Sequence, residues 1–180
     1  MRKRMRINLP VCSDCADYYY CAWPTKTVLH GKMLTPGCRY CMGMKRPRQF
    51  KSRAAIIRVP DWCPRRKTPC EVRIYDFRNM NERLMHLYYV SEISKDIGPE
   101  ARRYALAYEG QTELTPRGFW LACNDRSSGN LLDRDVPLYA VVEIDDGLKP
   151  YCFYQTPSGF CPALYFNTET ARNNTMEEDA

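Results

Sequence analysis

The chain has 180 residues, 44% of them hydrophobic, which suits one ordinary domain or a small domain followed by a medium one and argues against wholesale disorder. No apolar run approaches the roughly 18 residues of a membrane-spanning helix, and the basic opening Met1-Arg-Lys-Arg-Met-Arg6 meets only the short, proline-broken Ile7-Asn-Leu-Pro10 where an export signal would place its apolar stretch. The net charge of +6 is unevenly shared: residues 1–70 hold 16 Lys/Arg against three acids, whereas residues 71–180 hold 11 against 18.

In chain order, the first expected element is a hairpin, residues 25–29 and 32–35 flanking His30-Gly31. A strand is expected over 53–59, stopped by Pro60, and then a rigid loop over 60–70 that carries three prolines and two cysteines. Residues 71–77 alternate with period two and predict another strand. Asn79 or Asn81 caps a helix running to about Lys95, on which Met80, Leu84, Leu87 and Val90 recur at helical spacing. Pro99 suits the first turn of a short helix over 99–108, closed by Gly110, and Thr115-Pro116 opens another through Leu121. Residues 138–144, 151–155 and 160–166 predict a three-stranded antiparallel meander with turns at Asp145-Asp146-Gly147 and 156–159.

The expected fold class is therefore α+β: a small zinc-ribbon-like N-terminal module, then an α+β domain ending in an antiparallel β-meander. The expected boundaries are a basic zinc-binding module over 1–77, the α+β domain over 78–166, and a flexible acidic tail over 167–180.

Without an export signal a cytoplasmic location is expected, where ten cysteines persist as thiols and bind metal rather than form disulfides. Cys12-Ser-Asp-Cys15 and Cys38-Arg-Tyr-Cys41 are paired C-x2-C turns. Two residues between sulfurs let one tight turn aim both at a single cation, and two such turns complete a tetrahedron for Zn2+. Cys21, Cys63 and Cys70 remain, with His30 as a candidate fourth ligand, so one zinc or a cross-braced pair is expected. The alternative is that these cysteines are small buried hydrophobes and His30 an exposed hairpin tip. Closed thiolate sites are structural, because catalytic zinc keeps an open position and a nearby base.

No phosphate-binding glycine loop, dinucleotide fingerprint or metalloprotease motif is present, and the chain is expected to be non-enzymatic. Thiol chemistry would need Cys123 with His86 and Asp125, or Cys152 or Cys161; cation chemistry would need the acids Asp133, Asp135, Glu143, Asp145 and Asp146. The basic residues Arg39, Lys45, Arg46, Arg48, Lys51, Arg53, Arg58, Arg65, Arg66 and Lys67, interleaved with Tyr40, Phe50 and Trp62, suit phosphate neutralisation and base stacking.

The run Arg58-Val-Pro-Asp-Trp-Cys-Pro-Arg-Arg-Lys-Thr-Pro-Cys-Glu-Val-Arg-Ile-Tyr75, preceded by the C-x2-C pairs, resembles small cysteine-rich accessory proteins of bacterial phages and mobile elements. The resemblance covers residues 10–77 and implies a setting: regulation of the element or disabling of host defence, including anti-CRISPR inhibition. The expected function is thus a zinc-stabilised accessory protein whose basic module binds DNA, RNA or a nucleoprotein complex. The alternatives are an inhibitor that binds a CRISPR nuclease and, third, a thiol or metal-dependent enzyme.

Overall fold

The computed structural model describes residues 9–54, 56–94, 97–123, 132 and 135–176. The chain divides into two compact units, Asn8–Arg66 and a second running from Lys67 to the C-terminus. The boundary lies near 66 rather than 77, because residues 70–77 are an interior strand of the second unit's sheet.

The first unit is built from very short strands. β1 (Tyr18–Tyr20), β4 (Arg39–Cys41) and β5 (Arg48–Gln49) form an antiparallel sheet in the order β1-β4-β5, while β2 (Thr27–Leu29) and β3 (Lys32–Leu34) form the expected hairpin. Its turn is made by His30 and Gly31, with φ of 48° and 69°; positive φ at both central residues is the turn that matches strand twist. Two small clusters hold the unit. Cys12, Cys41, Phe50 and Ile57 pack with Tyr18, Val59 and Trp62. Cys21, Leu34 and Tyr40 pack with Tyr19, Leu29, Cys38 and Met42. The strand expected over 53–59 is absent among the described residues; only an isolated bridge between Val11 and Arg58 forms there.

The second unit is mixed helix and sheet, with a C-terminal antiparallel sheet. Its five strands are β6 (Cys70–Phe77), β7 (Tyr104–Thr112), β8 (Val141–Asp145), β9 (Pro150–Thr156) and β10 (Gly159–Pro162), in the order β10-β9-β8-β6-β7. The expected meander is present as β8-β9-β10. The helix expected over 99–108 is not formed: a single 3-10 turn at Ala101–Arg103 leads into the edge strand β7 over 104–112. The reason is tertiary: alternate side chains of β7 turn inward and its backbone pairs with β6 along its length. Ile74 faces Tyr108 and Tyr75 faces Leu106, so Ala107 is the extra residue of a bulge.

Both faces of this sheet are covered, so Val72, Ile74, Val142, Ile144 and Phe153 on one side and Tyr75, Phe77, Val141 and Tyr154 on the other are all buried. α2 (Pro116–Cys123) brings Phe119 and Trp120 against Phe153. α1 (Met80–Glu92) starts at Asn79, whose side chain accepts the Glu82 N–H at 2.9 Å. It turns His86 into the core and leaves Met80, Leu84, Met85, Leu87 and Tyr88 exposed. The segment expected as a flexible tail contains α3 (Thr168–Asn173), capped by Asn167, with Ala171 fully buried. Among the described residues no helix is long and apolar enough to cross a membrane.

Candidate functional site

Four cysteines line one cleft in the first unit: Cys12, Cys15, Cys41 and Cys63, walled by Tyr18, Phe50 and Pro64. Local backbone bonds aim them there. The 3-10 turn Cys12–Asp14 lets the Cys15 N–H bond the Cys12 carbonyl at 3.0 Å, and the Cys12 N–H is tied to Ile57 O at 2.8 Å. Cys41 is paired across the sheet with Tyr18. Cys63 sits in a tight turn, its N–H on Pro60 O and its carbonyl accepting from Arg66, each at 3.1 Å.

Of the set expected from sequence, Cys12, Cys15 and Cys41 are brought together, and Cys63 stands where Cys38 was expected. The physical reason is strand parity. Residues 38 and 41 are an odd number of positions apart on extended chain, and successive side chains of a strand alternate faces. Cys41 therefore enters the cleft, while Cys38 turns to the opposite cluster with Tyr40. There Gly37, at φ 76°, gives its N–H to Cys21 O while the Cys21 N–H bonds Cys38 O, a glycine bulge that sets Cys38 opposite Cys21. The Cys38 sulfur accepts from Gln49 Nε2 at 3.2 Å, and the Cys21 thiol points at Thr25 O at 3.5 Å. His30 is exposed at the hairpin tip, and Cys70 belongs to the second unit, its thiol on Lys67 O at 3.7 Å.

All ten cysteines are free thiols. Burial pushes the Cys12 thiol up to about 11, and charge on Cys63, Cys41 and Cys15 acts in the same direction. Burial also raises Cys41, against the opposing effect of the Gly43 N–H on its sulfur. Such a cleft disfavours thiolates unless a cation supplies the missing positive charge. Asp17 and Arg65 pair at its rim at 2.8 Å. Gly43 lies close against Asp17: a Cβ there would stand 2.8 Å from Asp17 Oδ2 and push that carboxylate aside. Among the described residues, no group of three or more His, Cys, Asp or Glu side chains has the geometry of a metal centre as it stands.

The basic residues fall into two sets. Arg39 donates to Arg53 O at 3.0 Å and lies over the Tyr20 ring, and Arg48 stacks on Trp62 at 4.2 Å. Arg65 and Arg66 face Asp17 and Asp61, and Lys67, in the second unit, pairs with Glu71 at 2.8 Å. Lys45, Arg46, Lys51, Arg53 and Arg58 are exposed, with no acidic partner among the described residues. Tyr40 and Phe50 are core residues rather than stacking platforms. The open rings of this unit are Trp23, 75% exposed, and Tyr20, neither singled out by sequence.

In the second unit the candidate enzyme residues are dispersed. His86 is buried against Phe77, Tyr139 and Tyr154, within 2.6 Å of the Tyr154 hydroxyl. Cys123 ends α2 with its thiol pushed up to about 12 by burial, as is that of Cys152; burial also raises Cys161. Asp125 and Asp133 lie outside the described residues. Asp145 and Asp146 cap backbone N–H groups of their own turn. Glu143 is wholly buried, accepting from Tyr75 and from Arg172 at 2.7 and 2.9 Å. Sequence had offered it as a cation ligand, but in the fold it is the partner of a guanidinium. Comparison with protein families, with curated proteins and with solved structures finds no match.

Proposed function

We propose that the unit Asn8–Arg66 is a zinc-ribbon-like module, held in shape by thiolate-bound Zn2+, that contacts nucleic acid through its basic surface, in a phage or mobile-element accessory protein. The observation that carries the contact is the set of six exposed cations between positions 45 and 58, Arg48 included, that have no acidic partner among the described residues. Cations already matched within the protein have little to gain from phosphate, whereas unmatched ones release the counterions of a polyanion. Trp23 adds an open ring for a base, and Tyr20, with Arg39 over its ring, a partly exposed one, as single-strand binders use. The thiol-lined cleft supports a structural rather than a catalytic role for the ion, since four sulfurs close its coordination sphere.

Fluorescence anisotropy with labelled DNA and RNA oligonucleotides tests this directly. Affinity is expected to fall steeply with salt, and Lys51→Ala or Arg53→Ala to weaken binding on every sequence and lower the log–log salt slope by about 1 each. Association independent of salt, or none, removes the reading. A second reading, inhibition of a host-defence effector such as a CRISPR nuclease, draws support from the exposed apolar side chains of α1. It requires a complex with the purified nuclease that survives high salt and is lost on Leu84→Lys.

A further inference from the structure

The zinc reading leaves open which sulfurs hold the ion, and we infer that a single Zn2+ is bound by Cys12, Cys15, Cys41 and Cys63, with Cys38 excluded. The inference rests on the module being zinc-bearing and is independent of whether its surface meets nucleic acid. Three separate pieces of chain deliver the four side chains to one cleft: a 3-10 turn carries Cys12 and Cys15, the sheet carries Cys41, and the turn after Pro60 carries Cys63. Cys12 and Cys41 also share one packed cluster with Phe50 and Ile57, which excludes water from their side of the cleft.

The chemistry of the surroundings agrees. Zn2+ exchanges its water ligands for four sulfurs, each thiol proton passes to solvent, and the resulting centre carries a net charge of −2. Arg65 lines the same cleft and places a positive charge beside it. The Gly43 N–H, directed at the Cys41 sulfur, supplies the backbone hydrogen bond that steadies a metal-bound thiolate. The side chains do not stand at ligand geometry as they are, so binding requires them to close on the ion. Among the described residues the other candidate ligands do not gather into a second such cleft: Cys21 and Cys38 face the other cluster, His30 is exposed at the hairpin tip, and Cys70 lies in the second unit.

Zinc content of the full chain purified under reducing conditions, together with the visible spectrum after replacing Zn2+ by Co2+, tests the assignment. One zinc per chain is expected in the parent and in Cys38→Ser and Cys21→Ser, with the cobalt bands of a tetrahedral tetrathiolate unchanged. Cys63→Ser is expected to lose the zinc. Should that variant fail to fold, Cys63→His keeps a fourth ligand, and its cobalt bands are expected to shift to those of three sulfurs and one nitrogen. Zinc lost with Cys38→Ser, or cobalt bands unmoved by Cys63→His, overturns the ligand set while leaving a zinc module intact. A parent chain that holds no zinc overturns both.

Discussion

The two units reach a stable shape by different means. The second has five paired strands with both sheet faces covered, and its interior is continuous aromatic and β-branched packing. The first has about 60 residues, no strand longer than three, and two small clusters that cysteines help to build. A unit of that size has a small core to draw on, and natural domains below about 70–80 residues often add a metal or a covalent staple. The lesson is that sulfur in the first unit occupies the place that Phe, Val and Ile hold in the second.

The largest expected effect tests that contrast. Treating the chain with a strong chelator under reducing conditions is expected to abolish slow amide exchange throughout Asn8–Arg66 while leaving β6, β8 and β9 protected. If the unit is held by zinc as proposed, chelation removes on the order of 10 kcal/mol of binding energy from it. Equal loss in both units, or in neither, breaks the contrast.

Within the second unit, Arg172→Ala strands the wholly buried Glu143 carboxylate and is expected to cost about 3 kcal/mol in urea unfolding. The double change Glu143→Leu with Arg172→Met, which removes both charges, is expected to recover most of it. An Arg172→Ala protein as stable as the parent would show that Tyr75 and Arg73 suffice for Glu143.

A smaller effect is pH-linked. Burial first, and then the Arg103 charge, lowers the His86 pKa from its ordinary 6.5; the acid Glu100 opposes. Around the imidazole stand Phe77, Tyr139 and Tyr154, none of them cationic. A depressed base contributes fully above pH 6.5, and its contribution is lost as pH falls from there through the folded value, because the unfolded chain takes the proton first. Stability is expected to fall by at most about 1.4 kcal/mol per pH unit in that window. A His86→Gln protein is expected to lack this component, and an identical pH profile would refute it.

The smallest effect is at Arg48, whose guanidinium covers Trp62. Arg48→Ala is expected to cost the first unit roughly 0.5–1 kcal/mol in thermal unfolding, with the second unit unchanged.

Much of the second unit was legible because period-two segments such as 71–77 and the meander announce themselves locally. Residues 99–108 did not, because Pro99 and Gly110 bracket them as they would a helix and only the pairing of 104–112 with β6 decides otherwise. In the first unit the presence of a thiol cluster could be read from the C-x2-C spacing, but its membership could not. That spacing delivers both sulfurs to one side on a turn, as at Cys12 and Cys15, and to opposite sides where the chain leads into and along a strand, as at Cys38 and Cys41. Cys63 could be named as a candidate ligand, but its place beside Cys12, Cys15 and Cys41 could be recognised only in the folded chain.

Arg172 has a consequence for synthesis. Chains emerge from the ribosome N-terminus first and fold as domains become available. The first unit has its last cysteine by position 63, so it can settle early. The sheet of the second unit holds an acid at position 143 whose main counter-charge arrives 29 residues later on α3. Until that helix emerges, Glu143 has only the longer Arg73 contact at 3.6 Å and the Tyr75 hydroxyl, so the sheet completes its charge pairing last and the two halves of the molecule mature at different moments.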